Sequence, residues 1–491
     1  MICEESEKGK ENEQINLVEV KNGGSSNENE IEKASLRRAS SRKIAIPMLS
    51  PINGLSPVLG YVVKQYQRTG LVGEERNIAQ LFLTCETRHL PAEYRRHAIS
   101  QGESGAGKSK LVIVIIRPFL SDVERYTRVT GPGIDRSEES LEGKILFLEQ
   151  LSGGEPSQLK FLMTEGELAI RYAEEDRSGR FVSKIHRVKG VPVFITTLVG
   201  AQIDPQLLGR VSTLEIDESN EQTKKIIDHK LEHWSTVKRE DENVLEPIAL
   251  IDQKCRDLGK SVEEIKIPYA KQLANGVPSV LPMRRKIDQM LNLVGAVAFV
   301  KAALGFRPIV KIKNPSKTRN IYIIALPEDL DDALYCLGDE LILSIGFYYR
   351  KAKEIHEFLC EQGQATAKDV AMARGMSQNR AREYLNHLVE SRHATRTKQR
   401  GTYYYEPIPN NVPRLELKAT FAESDLRTWF AANFSENRAE LLIPEGKEFT
   451  EIPPIVAAVP QIGDNSSTMA GIEPESSTKN KIASVPRSKP N

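Results

Sequence analysis

The stretch Gly102-Glu103-Ser104-Gly105-Ala106-Gly107-Lys108-Ser109 constrains this chain more than any other. It fits G-x-x-x-x-G-K-[ST], a phosphate-binding loop, and such a loop works only between a strand and a helix. The glycines let backbone N–H groups close around a phosphate chain. The helix N-terminus adds its dipole, the lysine reaches the β- and γ-phosphates, and the hydroxyl faces Mg²⁺. A short strand is therefore expected around 97–100 and a helix over 109–119. Local propensity resists, because Val112-Ile113-Val114-Ile115-Ile116 is β-branched throughout. A helix covered on both sides in an α/β core can be apolar all round. The loop thus decides for a helix, with Pro118 marking its end.

The flanking segments alternate as an α/β sheet requires. Residues 50–98 read as mainly helical, with Ile78, Leu81 and Phe82 at helical spacing and a break at Leu90-Pro91. A strand is expected over 126–130, before the Gly131-Pro132-Gly133 turn. A buried strand over 144–150 ends in Glu149, forty-one residues after Lys108. An acid at the carboxyl end of such a strand can hold the water shell of Mg²⁺ beside the phosphates. After a helix over 158–168, strands over 168–172 and 181–188 flank Asp176-Arg177-Ser178-Gly179, a hairpin signal. The hairpin carries Arg171, Arg177, Arg180, Lys184, His186, Arg187 and Lys189. Such cations either grip nucleic-acid phosphates or sit in solvent and limit edge-to-edge pairing. Another buried strand, 191–197, ends in Thr196-Thr197, whose hydroxyls can orient water. Then come Asp204-Pro205-Gln206-Leu207-Leu208-Gly209-Arg210, a strand over 213–216 and an amphipathic helix over 220–234.

Residues 235–277 read as mostly helical and charged. A long helical stretch over 277–304 opens with Met283-Arg284-Arg285-Lys286, where positive charge opposes the helix dipole. Residues 347–405 read as a separate unit, helix-helix-helix-hairpin, with caps at Thr366 and Ser377 and a turn at Gly375. This order looks like a winged helix-turn-helix. Its third helix places Arg380 and Arg382 near the start, and Arg396, Lys398 and Arg400 lie on the wing, as duplex DNA docking requires. The same scaffold also serves protein contacts. Beyond Pro407 one short helix is expected over 425–434. The polar segments 1–45 and 442–491 cannot bury enough apolar surface to offset their ordering entropy, and disorder is expected there.

With 491 residues the chain has room for two or three domains. A net charge of +1 identifies no partner, so any nucleic-acid surface must come from local clustering. Cys3, Cys85, Cys255, Cys336 and Cys360 form no C-x-x-C pair, and free thiols are expected. The polar start and the lack of an apolar run near ~18 residues point to a soluble, cytoplasmic protein without membrane contact.

Taken together, the loop, the acidic strand end, the polar strand end and the arginine before the last strand resemble the AAA+ ATPases. Within that group the chain is similar to the MCM-like helicases and related archaeal or viral replication ATPases, over about 70–405. The resemblance implies an α/β P-loop core with a parallel sheet over 50–220, a helical lid region over 221–345 and a C-terminal winged helix over 346–407. It implies ATP and Mg²⁺ held by Gly102 through Ser109, with Ser109 and Glu149 at the metal. Pro205-Gln206-Leu207-Leu208-Gly209-Arg210 matches the element that supplies an arginine finger, so Arg210 would act on a neighbouring subunit. Arg284 or Arg285 would take the role of the lid arginine at a γ-phosphate, in a neighbour or in the same chain. The basic hairpin would face a DNA strand inside a homo-oligomeric ring, a hexamer by analogy, with duplex DNA at the winged helix. Two departures stand out. Gln150 replaces the family's usual carboxylate base, and Thr196 or Thr197 replaces its usual asparagine. The activity so implied is an ATP-dependent DNA helicase or translocase in replication. The alternatives are an ATP-switched initiator or DNA-binding regulator with weak ATPase activity, which Gln150 favours, and a loader acting on proteins.

Overall fold

The computed structural model describes residues 52, 54–127, 140–149, 161–163, 165–175, 181–199, 207, 209–236, 243–277, 283–313, 315, 318–338, 350–390, 392–399, 401–408 and 417–444. At its centre β1 (Ala98–Gly102), β2 (Val123–Tyr126), β3 (Ile145–Leu148), β6 (Val193–Val199) and β7 (Ser212–Glu215) form one sheet in the order β2-β3-β6-β1-β7. Every pairing in it is parallel. The inner strands are apolar on both faces, as a sheet covered by helices demands; all four residues of β3 are buried. The expected strand at 126–130 begins earlier and reaches only Tyr126; 128–139 lie outside the described residues.

Of helices α1 (Pro57–Gln67), α2 (Glu75–Glu86) and α3 (Lys108–Ile116), α3 packs on β1 and β6, α2 packs on α3, and α1 packs on α2. The β-branched run is helical after all. Leu111, Val112, Val114, Ile115 and Ile116 are buried, so burial on several sides overrides local preference. Tyr66 Oη donates to the Ile115 carbonyl at 3.0 Å, satisfying an acceptor at the helix end. A 3₁₀ turn with Pro118 in its first positions follows.

Strands β4 (Glu167–Glu175) and β5 (Phe181–Lys189) pair with each other as an antiparallel ribbon, separate from the main sheet. Residues 235–277, expected to be mostly helical, include a strand, and the wider region 220–337 holds further strands. Besides α4 (Asn220–Ser235), α5 (Glu246–Gly259), α6 (Met283–Ala303) and α7 (Pro327–Leu337), it contributes β8 (Val262–Lys266), β9 (Ile309–Ile312) and β10 (Ile321–Ile324). With β14 (Ala439–Leu442) these make a second sheet, ordered β14-β9-β10-β8. Strands of four or five residues, one of them Val-Glu-Glu-Ile-Lys, are too short to show a period-two pattern. One hydrophobic core crosses position 220, since Ile78, Phe82, Ile115, Val297, Phe299, Leu330 and Leu337 belong to a single buried cluster.

The C-terminal unit comprises α8 (Arg350–Gln362), β11 (Ala365–Thr366), α9 (Ala367–Arg374), α10 (Gln378–Glu390), β12 (Ala394–Gln399) and β13 (Thr402–Pro407). Its three strands are antiparallel, in the order β11-β13-β12. It has a core of its own around Ile355, Leu359, Val370, Leu385, Leu388 and Tyr405. The chain then returns to the main body, where α11 (Glu423–Asn433) seals the second sheet through Leu426 and Phe430 on Val310 and Ile324.

Among the described residues no helix is long and apolar enough to cross a membrane. Cys85, Cys255, Cys336 and Cys360 are free thiols.

Candidate functional site

The loop lies at a topological switch point. Strand β1 stands between β6 and β7, and the chain leaves it for β2 at the far edge of the sheet. The crevice outside the carboxyl end of such a strand is where open α/β sheets take ligands. Gly105 has φ +86° and Gly107 φ +95°. A Cβ at either would meet no atom, so the backbone angle, not lack of space, requires glycine. No side chain caps α3, whose cap residue is Gly107. Its first-turn N–H groups therefore face the loop without a capping acceptor, the arrangement that binds anions.

Lys108 is only 6% exposed. Its Nζ donates to the carbonyl oxygens of Gly102, at 3.0 Å, and of Glu103. Both acceptors are neutral. Burial draws its pKa down, Glu218 and Glu103 pull it up, and Arg380 adds to the lowering. Glu103, Ser104, Gly105, Gly107 and Ser109 are exposed and Ala106 half-buried.

Glu149 follows β3 directly, and Thr197 on the adjacent β6 donates its hydroxyl to the Glu149 carbonyl. Thr197 stands opposite Ser100 of β1, so the acid and the hydroxyl reach the loop's end of the sheet. The Glu149 carboxylate pairs with Arg125 of β2, with Nε at 2.9 Å. Arg125 is half exposed, so this is an exchangeable surface pair. An exposed hydroxyl at Ser109 and a partly buried carboxylate at Glu149 are hard oxygen donors, and this donor set fits Mg²⁺.

Arg210 lies elsewhere. It precedes β7, whose Ser212 pairs with Ala98 at the amino end of β1, whereas the loop follows Gly102. Four strand steps separate the two ends, about 13 Å at ~3.3 Å per residue. Arg284 and Arg285 are exposed on the first turn of α6. That turn is tied to the same far end, with Lys286 Nζ 3.4 Å from the Val211 carbonyl and Gln289 Nε2 2.9 Å from that of Gly209. The start of α6 is thus anchored at the opposite end of the strands from the loop.

On the hairpin, Arg171 and Arg187 are exposed beside Tyr172 and Ile185, and Arg187 pairs with Glu167. Lys184 stands opposite Tyr172 in the ribbon. Gln150, Arg177, Arg180, Arg400 and the Lys184 side chain lie outside the described residues, as do Pro205 and Gln206.

In the C-terminal unit the expected caps are present. Thr366 and Asp369 form a capping box on α9, Gly375 ends it at φ +63°, and Ser377 Oγ accepts from the Arg380 N–H at 3.3 Å. Arg382 is exposed. Arg396 reaches Asn386 Oδ1 at 3.0 Å, and Arg396 and Lys398 lie 4.8 and 5.5 Å from the Tyr403 ring centroid. Arg380, expected at DNA, makes a contact within the chain. Its guanidinium is 2.7 Å from Glu103 Oε1, inside the phosphate loop. Glu218 likewise meets the loop, its Oε1 accepting from the Glu103 N–H. A cleft of about 150 Å³ between the two units is lined by Gly102, Glu218, Lys351, Glu354, Arg380 and Tyr384. Arg125 and Glu218 escape a reading of the sequence; the only hint is that each belongs to, or directly follows, a strand of the sheet that presents the loop.

No protein-family model matches the chain, and no curated protein matches it. Among solved structures, a full-length MCM homolog from Methanopyrus kandleri overlaps 62% of this chain at 14% identity, with a TM-score of 0.31. This chain spans 64% of that protein, less than two thirds of its length. The NrS-1 C-terminal region overlaps 75% of this chain and 79% of its own, at 13% identity and a TM-score of 0.22. Overlaps this loose carry no functional weight, and assignment rests on the site.

Proposed function

We propose that the chain binds ATP with Mg²⁺ at residues 102–109 and uses hydrolysis to move along or unwind DNA in replication, as a P-loop ATPase of AAA+ type with a C-terminal winged helix. The carrying observation is the loop itself: uncapped α3 amides beside a buried Lys108 whose ammonium rests on neutral carbonyls. A triphosphate offers the charge that those carbonyls do not. Lys108 then binds phosphate oxygens, and the loop amides orient them. Mg²⁺ would supply charge neutralisation at the phosphates. Ser109 and Glu149 would hold it, and Thr197 fixes the backbone of Glu149. Gln150 would orient the attacking water by hydrogen bonding, as glutamine does in some GTPases. Arg210, remote from its own loop, would serve the loop of a neighbouring copy in a ring. Arg171, Arg177, Arg180, Lys184 and Arg187 of the hairpin would contact a strand, and Arg382, Arg396, Lys398 and Arg400 a duplex.

The Arg125–Glu149 pair favours a second reading, an ATP-switched initiator with weak hydrolysis, because the metal-facing acid is already held by a cation. Unwinding of a forked duplex by wild type and Arg210→Ala separates the two. The helicase reading expects ATP-dependent strand displacement, lost in Arg210→Ala with a fall of roughly 10³-fold or more in kcat. ATP hydrolysis without displacement sinks the helicase claim. Normal hydrolysis by Arg210→Ala removes the role in trans.

A further inference from the structure

The C-terminal unit reaches the phosphate loop through one side chain. Arg380 sits on the first turn of α10, and Ala381, Tyr384, Leu385 and Leu388 bury that helix in the unit's core. Ser377 Oγ holds the Arg380 backbone N–H. The guanidinium is thus delivered from a rigid element, and it ends 2.7 Å from the carboxylate of Glu103, the second residue of the loop. We infer that Arg380 is a phosphate-contacting residue of the nucleotide site, supplied by the C-terminal unit of the same chain. This rests on the reading of 102–109 as a nucleotide loop.

Three features carry the assignment. First, Arg380 and Lys108 converge on one loop, and Arg380 is among the groups that lower the Lys108 pKa after burial itself. Second, the counter-ions facing this pair are Glu103 and Glu218, and Glu218 accepts a hydrogen bond from the Glu103 backbone N–H. A carboxylate on a loop amide, facing two cations, holds the place of a phosphate oxygen. A triphosphate carries more charge than that carboxylate and competes for the same donors. Third, a guanidinium presents five donors in a fixed fork that matches a phosphate edge, and it binds phosphate more strongly than an exposed carboxylate. Phosphate entry therefore moves Glu218 off the Glu103 amide and Arg380 from Glu103 onto phosphate oxygen. Lys351 and Glu354 of α8 border the same cleft.

The test is equilibrium binding of a fluorescent N-methylanthraniloyl ATP to the full chain, comparing wild type, Arg380→Ala, Arg380→Lys and Glu218→Gln. Arg380→Ala is expected to weaken binding about tenfold or more, the size of one charge-assisted hydrogen bond. Arg380→Lys should recover part of the loss, and Glu218→Gln should tighten binding by removing the competing carboxylate. Melting temperatures without nucleotide should stay level, because Arg380–Glu103 is a partly exposed pair. Binding by Arg380→Ala that equals or exceeds wild type, while wild type binds the probe, overturns the assignment and leaves the loop reading intact. No binding by well-folded wild type overturns the loop reading and this inference with it.

Discussion

Two buried lysines on helices differ in what their charge is for. Lys301, 1% exposed near the end of α6, lies 2.9 Å from Asp329 and 2.6 Å from Asp332 of α7. Arg307 closes the group on Asp329 at 2.7 Å. Burial pushes Asp329 up, yet Lys301 and Arg307 hold its carboxyl below the usual range. Charge is cancelled within the fold, and the network joins two helices. Lys108, almost as buried, has carbonyl oxygens as its hydrogen-bond partners at the mouth of the sheet, and the Glu218 and Glu103 carboxylates act on it only through space. Carbonyl dipoles solvate an ammonium without neutralising it. One buried cation is bonded to acids that cancel it, whereas the other is hydrogen-bonded to dipoles alone.

The largest effect that would sharpen this contrast is on stability. Lys301→Ala leaves buried Asp332 without its counter-ion, with the Ser56 N–H still donating to it, and should cost about 3–5 kcal/mol, read as a lower urea midpoint. Below its melting temperature the variant should still bind nucleotide. An unchanged midpoint would mean that the network adds nothing. Next comes Lys108→Ala, expected to lower ATP hydrolysis by roughly 10²–10³-fold while the urea midpoint stays within experimental scatter. If that variant instead lost stability and kept hydrolysis, the two lysines would be alike and the contrast would fail.

The smallest expected effect concerns a third buried charge. Glu86 is fully buried between α2 and α5, and burial, aided by the Asp252 carboxylate, pushes it up to about 8 from an ordinary 4.5. Arg88, 2.5 Å from Asp252, offsets this in part. A raised acid favours the fold where it is protonated in both states, and that contribution is lost as pH rises from 4.5 towards 8. Glu86→Gln should therefore gain on wild type in melting temperature between pH 5 and pH 8. A constant difference across that range would show that Glu86 is ionised in the fold, matched like the partners of Lys301.

What could be read beforehand follows from locality. Strand, loop and α3 were legible because Gly105 and Gly107 need positive φ and the motif imposes its neighbours. The caps at Thr366, Gly375 and Ser377 were legible because capping is settled within four residues. Strand β8, with the sequence Val-Glu-Glu-Ile-Lys, was not: its identity depends on β10, some sixty residues away, and no periodicity in five residues announces a partner. Arg125 was missed for the same reason, since it meets Glu149 only once β2 pairs with β3.

The sequence by itself determined the backbone form of the loop, the order of strands and helices around it, the acid after β3 and the hydroxyl near the end of β6. These depend on residue type and on contacts a few positions apart. Tertiary structure alone decided which charges meet. It carried Arg210, Arg284 and Arg285 to the far end of the strands, and it brought Arg380, more than 270 positions further along the chain, onto Glu103. Coulomb interactions act across space without regard to chain separation, so the partner of a charge is fixed only when packing has placed it.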